Sequence, residues 1–242
     1  MVISKASKTI DFSLKRVIAL EDGELFYDLK LYLKSRYDII ETDNYHYLYC
    51  LGNSPFSLMA HLDTLRFNTP LKLMEKNGNL TNHFGILGAD DRAGIYAAIS
   101  AIENCYRTKI PMPSFLLTNL EELGFQGIKK FIDDDVINKF KYRPKFFINL
   151  DRQGFREYVT YGNPLTKEID YFLSMMNIAE VVSRSCADNH FITQQYNIPS
   201  INLAVGYYNE HTDDEVLNIH QLDTTIKLIR GMMATYMLIG DI

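Results

Sequence analysis

Apolar and polar positions alternate along this chain with two different periods, and the changes between them mark out its elements. Apolar side chains at Leu25, Phe26, Leu29, Leu31 and Leu33 are compatible with an amphipathic helix over 24–34. Short strand-like runs follow at 39–41, 45–51 and 57–62, the first two separated by the turn residues Asp43 and Asn44. Residues 71–75 then lead into Lys76-Asn77-Gly78-Asn79, which reads as a strand entering a hairpin turn. Alanine and isoleucine dominate the stretch that opens at Asp90, and predict a long helix to about Glu103. Beyond it the pattern predicts a buried strand at 114–118, a helix at 126–132 and a second buried strand at 145–150. A strand at 158–161, a helix at 166–176, a polar segment at 183–190, a last core strand within 198–206 and a helix at 219–238 complete it.

Strands thus alternate with helices throughout. That alternation predicts the α/β class, as a three-layer α/β/α arrangement around a mostly parallel, mixed sheet covered on both faces. No repeat, low-complexity segment or linker divides the 242 residues, so one domain over 1–242 is expected.

Composition narrows the function classes. Hydrophobic residues make up 47% and charged residues 23%, as in ordinary globular proteins and unlike disordered ones. No apolar run approaches the roughly 18 to 20 residues that span a bilayer. The first ten residues contain no apolar leader core, so a cytoplasmic protein without a membrane partner is expected. Cys50, Cys105 and Cys186 are odd in number and scattered, which predicts reduced core residues and neither a disulfide framework nor a cysteine-rich zinc site. A net charge of -5 and the lack of a basic stripe speak against a nucleic-acid partner.

The candidate chemistry lies at strand ends. His61 and Asp63 close an apolar run two positions apart, so in an extended chain they share a face and suit a metal ligand with an orienting carboxylate. Asp90 and Asp91 open the long helix, where an acid by itself reads as an N-cap. Glu121 and Glu122 follow a buried strand, a place where paired glutamates by themselves mark a solvated helix start. Asp151 stands where another strand stops, and His211 follows the last one. Ligands of α/β sheets gather outside the carboxyl ends of the strands. So many acids on one rim would repel each other and lose solvation unless cations sat among them.

Two histidines with several carboxylates and no thiolate suit zinc, with cobalt or manganese as substitutes. The number of acids suggests two divalent ions, since a carboxylate can bridge a pair. Such ions acidify a bound water and polarise a carbonyl, while a free carboxylate moves the proton. Hydrolysis of a peptide or amide bond is the reaction this would serve.

The motifs His61-Leu62-Asp63-Thr64, Gly88-Ala89-Asp90-Asp91-Arg92-Ala93-Gly94, Glu121-Glu122-Leu123-Gly124, Asp151 and 206–212 occur in one order. In this the chain resembles the cocatalytic dizinc exopeptidases of the M20, M28 and M42 groups, including peptidase T-like enzymes. The resemblance implies that His61 and Asp151 hold one metal and Glu122 and His211 the other, with Asp90 bridging. It implies Glu121 as general base and then acid, and Asp63 as the residue behind His61. Asp91 would begin the helix without ligating, and Arg92 would pair with nearby acids. Asp188 and His190 fall where some members build a pocket wall and are weak substrate-side candidates, whereas His83 has no assigned task and His220 is expected to be structural. The chain leaves little room for the lid of M20 enzymes between Asp151 and His211, or for the M42 insertion between His61 and Asp90. It therefore resembles a bare catalytic domain, nearest in size to M28. The resemblance implies an aminopeptidase acting on short peptides. An N-acyl amino acid deacylase on the same scaffold, or a metal-containing binding module without turnover, are the alternatives, and the sequence sets no oligomeric state.

Overall fold

Successive side chains of a strand face opposite ways, so a strand apolar at every position needs cover on both faces. In β3 (Phe56–His61), Phe56, Leu58 and Ala60 enter one core and Met59 enters another. The structure, a computed structural model, describes residues 12–66, 69–183 and 185–239. The expectation of no leader, which concerns Met1 to Ile10, lies outside them.

The main sheet is built from β1 (Asp38–Glu41), β2 (Tyr47–Leu51), β3, β6 (Ser114–Thr118), β7 (Phe146–Arg152), β8 (Glu157–Val159), β9 (Ala179–Glu180) and β10 (Ser200–Ala204). Its order is β1-β2-β6-β3-β7-β10-β8-β9. The central β6, β3, β7 and β10 are parallel, while β1, β2 and β8 join through antiparallel pairings. The mixed sheet with a parallel centre matches the expectation from the alternating pattern.

Helices cover both faces. α1 (Leu14–Ala19), α2 (Asp22–Lys34), α3 (Ala89–Thr108), α5 (Lys167–Met175) and α7 (Ile219–Ile239) supply one core, with Val17, Leu29, Ala97, Phe172 and Ile229 among its buried side chains. α4 (Gln126–Asp133) and α6 (Asp188–Tyr196) supply the other through Ile128, Phe131 and Ile192. Gly94 on α3 permits the close approach that matters for the site. A Cβ there would lie 2.2 Å from the Leu150 carbonyl oxygen, so only glycine lets the start of α3 press against the end of β7.

A second sheet is absent from the sequence expectation. β4 (Leu73–Lys76) and β5 (Asn79–Asn82) form the anticipated hairpin across Asn77 and Gly78, both at positive φ. β11 (Tyr207–Tyr208) and β12 (Val216–Asn218) then extend it in the order β11-β12-β5-β4. Strands of two and three residues carry no readable period. The last core strand accordingly stops at Ala204, and Gly206, at φ 93, turns the chain into the other sheet. Further corrections concern the polar segment at 183–190, whose end is the first turn of α6, and Cys186, which is exposed while Cys50 and Cys105 are buried. Among the described residues no helix is long and apolar enough to cross a membrane.

Candidate metal centre

The parallel central strands point their carboxyl ends to one edge, and the acidic and imidazole side chains collect there. His61 ends β3, Asp151 lies near the end of β7, and Glu121 and Glu122 occupy a turn between β6 and α4. The two glutamates are therefore not a helix start, because α4 begins only at Gln126. Asp63 holds that turn in place. Its two carboxylate oxygens accept the backbone N–H groups of Glu121 and Glu122 at 3.0 and 3.1 Å, and Oδ1 lies 3.4 Å from His61 Nδ1.

Asp90 stands at the middle. Its Oδ1 is 3.1 Å from His61 Nε2, and its Oδ2 is 3.1 Å from His211 Nε2. His61 Nε2 also lies 3.5 Å from Asp151 Oδ1, and His211 Nε2 lies 2.9 Å from Glu122 Oε1. The N-cap duty expected of an acid here falls to Asp91, whose side chain accepts Gly94 N–H at 3.1 Å and His61 N–H at 3.1 Å. Asp91 is thus taken up by backbone donors, while Asp90 meets the two histidine ring nitrogens. Arg92, fully buried, pairs with Asp22, as expected of a structural arginine.

Burial sets the proton affinities, and the neighbours then divide them. Burial pushes the Glu121 carboxyl up to about 9, and Asp151, Asp188 and Glu122 add to it against His61. Burial likewise pushes Asp151 up to about 7. For Asp90 the same burial is outweighed by hydrogen bonds from His211 and His61, and its carboxyl ends below the usual range. Hydrogen bonds to Asp90 and Glu122 raise His211 to about 10. The acid with the lowest proton affinity is therefore the one between the two imidazoles.

The donor set fits a divalent metal ion. Three groups, His61-Asp90-Asp151, Asp90-Glu122-His211 and His61-Glu121-Glu122, each bring ligand atoms within 4.8 Å of one another. Tetrahedral zinc with bonds of about 2.0–2.2 Å separates neighbouring ligand atoms by about 3.3 Å. The histidine–carboxylate spacings of 2.9 to 3.5 Å fit that value. Imidazole and carboxylate donors without sulfur fit a borderline divalent cation.

Several residues that support the cluster were not anticipated. Buried Glu215 accepts the backbone N–H groups of Leu87, Gly88 and Asp90 at 2.8, 2.7 and 3.1 Å, and so anchors the loop that presents Asp90. Tyr207 donates its hydroxyl to Asp151 Oδ1 at 3.2 Å, and Asn202 accepts the Asp151 N–H at 3.0 Å. In the sequence Glu215 is one acid in a polar run, with nothing to separate it from a solvated side chain.

A cavity of about 390 Å³ opens over the cluster, lined by Asp90, Glu121, Glu122, Asp151, Glu210 and His211 among others. A second cavity, of about 330 Å³, adjoins it across Tyr161 and Cys186 and has His190 on its wall. His190, a substrate-side candidate, borders a cavity next to the cluster. Asp188 does not. It is 3% exposed and lines neither cavity, because its carboxylate turns inward to accept the Thr118 hydroxyl at 2.5 Å. His83 is exposed and packs edge-on against Phe84, and the His220 ring lies against Gly78.

The model of peptidase family M28 matches residues 51–235. None of the curated proteins matches the chain. Among solved structures the chain is similar to the aminopeptidase PepT of Bacillus cereus, with a TM-score of 0.76 at 15% identity over 91% of this chain and 96% of that one. It is similar to a tripeptidase of Staphylococcus aureus, with a TM-score of 0.74 at 14% identity over 91% and 97%. It is also similar to the Pyrococcus horikoshii TET1 peptidase, which can assemble into a tetrahedron or a large octahedral shell, with a TM-score of 0.67 at 14% identity over 91% and 98%. At these identities the likeness is one of fold.

Proposed function

The chain belongs to peptidase family M28 and is a metal-dependent peptidase; from that premise we propose that it is a dizinc aminopeptidase acting on short peptides. His61 and Asp151 would hold one ion, Glu122 and His211 the other, and Asp90 both. The observation that carries this is the division of Asp90, one oxygen 3.1 Å from each histidine, which is what a bridging carboxylate requires. When bound, the ions supply an acidified water and a polarised substrate carbonyl.

The chain's own residues do the rest. Glu121 takes a proton on its carboxylate and returns it to the leaving nitrogen. Asp63 keeps Glu121 and Glu122 in register by holding their backbone amides, and stands beside His61 Nδ1 so that Nε2 faces the cluster. Asn202 and Tyr207 fix Asp151. The similar structures, those of an aminopeptidase PepT and a tripeptidase, support a short peptide as substrate.

Metal analysis of the purified protein, together with hydrolysis of amino-acid p-nitroanilides, tripeptides and N-acyl amino acids, tests the proposal. Two equivalents of zinc and turnover of the first two classes are expected. Turnover of N-acyl amino acids alone would replace the aminopeptidase with a deacylase, and a single equivalent of metal would remove the bridging role of Asp90.

A further inference from the structure

The metal scheme leaves the second cavity without a task. Its volume is about 330 Å³, and it shares Tyr161, Val182, Ser183, Ser185 and Cys186 with the cavity over the cluster. A residue held at the cluster therefore has this space within a side chain's reach. Val159, Val181 and the Tyr161 ring give it apolar walls. The hydroxyls that line it are already engaged. Thr160 donates to Glu180 Oε1 at 2.5 Å, Ser183 and Ser185 share a hydrogen bond at 2.7 Å, and the Tyr161 hydroxyl accepts Asn202 Nδ2 at 2.8 Å.

The imidazole on that wall is held differently. His190 Nδ1 lies 3.3 Å from Nδ2 of the buried Asn163. That amide is oriented from two sides, since Nδ2 donates to the Thr160 carbonyl at 2.9 Å and Oδ1 accepts Gln194 Nε2 at 3.0 Å. An amide nitrogen only donates, so Nδ1 is the accepting nitrogen of the ring and Nε2 carries the hydrogen. Nε2 makes no hydrogen bond among the described residues, yet it is not among the side-chain atoms closed to solvent. The wall thus offers an oriented N–H donor that is both free and accessible.

Binding pockets combine apolar walls with a few placed polar groups that set specificity. We propose that this cavity receives the side chain of the peptide's first residue, and that His190 selects a long neutral side chain ending in a carbonyl acceptor, the carboxamide of glutamine. The inference rests on the peptidase reading of the adjoining cluster and adds the side-chain class, which that reading leaves open. The carboxamide oxygen accepts the Nε2 hydrogen, and its methylene stem suits the apolar walls. A hydrocarbon side chain would displace water from that donor without replacing its hydrogen bond. An acidic one would bring a second negative charge to the wall that carries Glu180.

The test measures binding rather than turnover. The α-hydroxamates of glutamine, homoleucine, glutamate and lysine are titrated calorimetrically into the zinc-loaded protein, into His190→Phe and into His190→Gln, with zinc content checked in each. Homoleucine has the shape of glutamine without its polar atoms. The parent is expected to bind the glutamine probe at least as tightly as homoleucine, and about tenfold more tightly than glutamate. His190→Phe is expected to lower the glutamine-to-homoleucine ratio about tenfold, and His190→Gln, which restores an amide N–H, to recover part of it. The ratio compares two probes on one protein, so a variant with fewer folded molecules still reports it. A parent that binds none of the probes, or prefers homoleucine, would overturn the assignment. So would a preference for lysine, which would give the cavity to Glu180, or a His190→Phe ratio equal to the parent's. Hydrolysis of the matching p-nitroanilides is scored separately. The expected order of affinities without turnover defeats the peptidase reading and leaves His190 as the residue that reads the side chain.

Discussion

Replacing Asp188 by asparagine is expected to stabilise the protein at neutral pH. The carboxylate is 3% exposed, and Thr118 donates to Oδ2 while Oδ1 has no hydrogen-bond partner among the described residues. Burial pushes the carboxyl up to about 6 from an ordinary 3.8. The sign follows from linkage. A folded-state pKa above the unfolded value means that the folded protein holds the proton more tightly, so stability is full below about 3.8 and is lost as pH rises through about 6. At 1.36 kcal/mol for each pH unit, the ionised side chain costs the native state about 3 kcal/mol at pH 7. Asparagine removes that cost, keeps an acceptor for Thr118, and adds an amide N–H pair whose burial costs about 1 kcal/mol. The net gain is about 2 kcal/mol at pH 7, and close to zero or negative near pH 4. Urea unfolding of both proteins between pH 4 and pH 8, in a chelator so that metal binding does not contribute, measures the difference. With a slope of roughly 2–3 kcal/mol/M, the midpoint rises by just under about 1 M at pH 7. A variant less stable than its parent at pH 7, or a difference that does not change with pH, would refute the reasoning.

Other outcomes follow from the same geometry. Glu121→Gln is expected to keep its zinc and lose about two to four orders of magnitude in kcat, measured by metal analysis beside steady-state kinetics; a rate equal to the parent's would remove Glu121 from proton transfer. Glu215→Ala leaves three buried backbone N–H groups without their acceptor and is expected to cost about 3 kcal/mol or more. Calorimetric zinc titration of that variant should show weaker binding, because Asp90 is no longer held, and unchanged affinity would disconnect the two. Stripping metal from the parent is expected to lower the Tm, and returning zinc to restore it in a concentration-dependent way; a Tm indifferent to zinc would speak against any cation in the cluster.

Much of the site was legible because strand ends announce themselves. An apolar run that stops at an imidazole or a carboxylate is a local pattern, and His61, Asp151 and the Glu121-Glu122 pair each follow such a run. The α/β alternation then supplies one edge for all of them. Asp90 and Asp91 show the limit of that logic. Both are acids at a helix start, and only their contacts assign the inward hydrogen bonds to Asp91 and the two histidines to Asp90. Asp188 was misplaced for a related reason, since sequence position near a motif does not say which way a side chain turns.

The sequence by itself determined the layered α/β architecture, the central strands and the residue types that collect at their ends, because hydrophobic period and strand boundaries are properties of neighbouring residues. Only the tertiary structure decided the second sheet, the anchoring of the Asp90 loop by Glu215, the inward turn of Asp188 and the exposure of Cys186. Each depends on a contact between segments distant in the chain or on which side of the packed layers a residue comes to lie. Glu215 and Asp90 stand 125 positions apart, and no local pattern records their meeting.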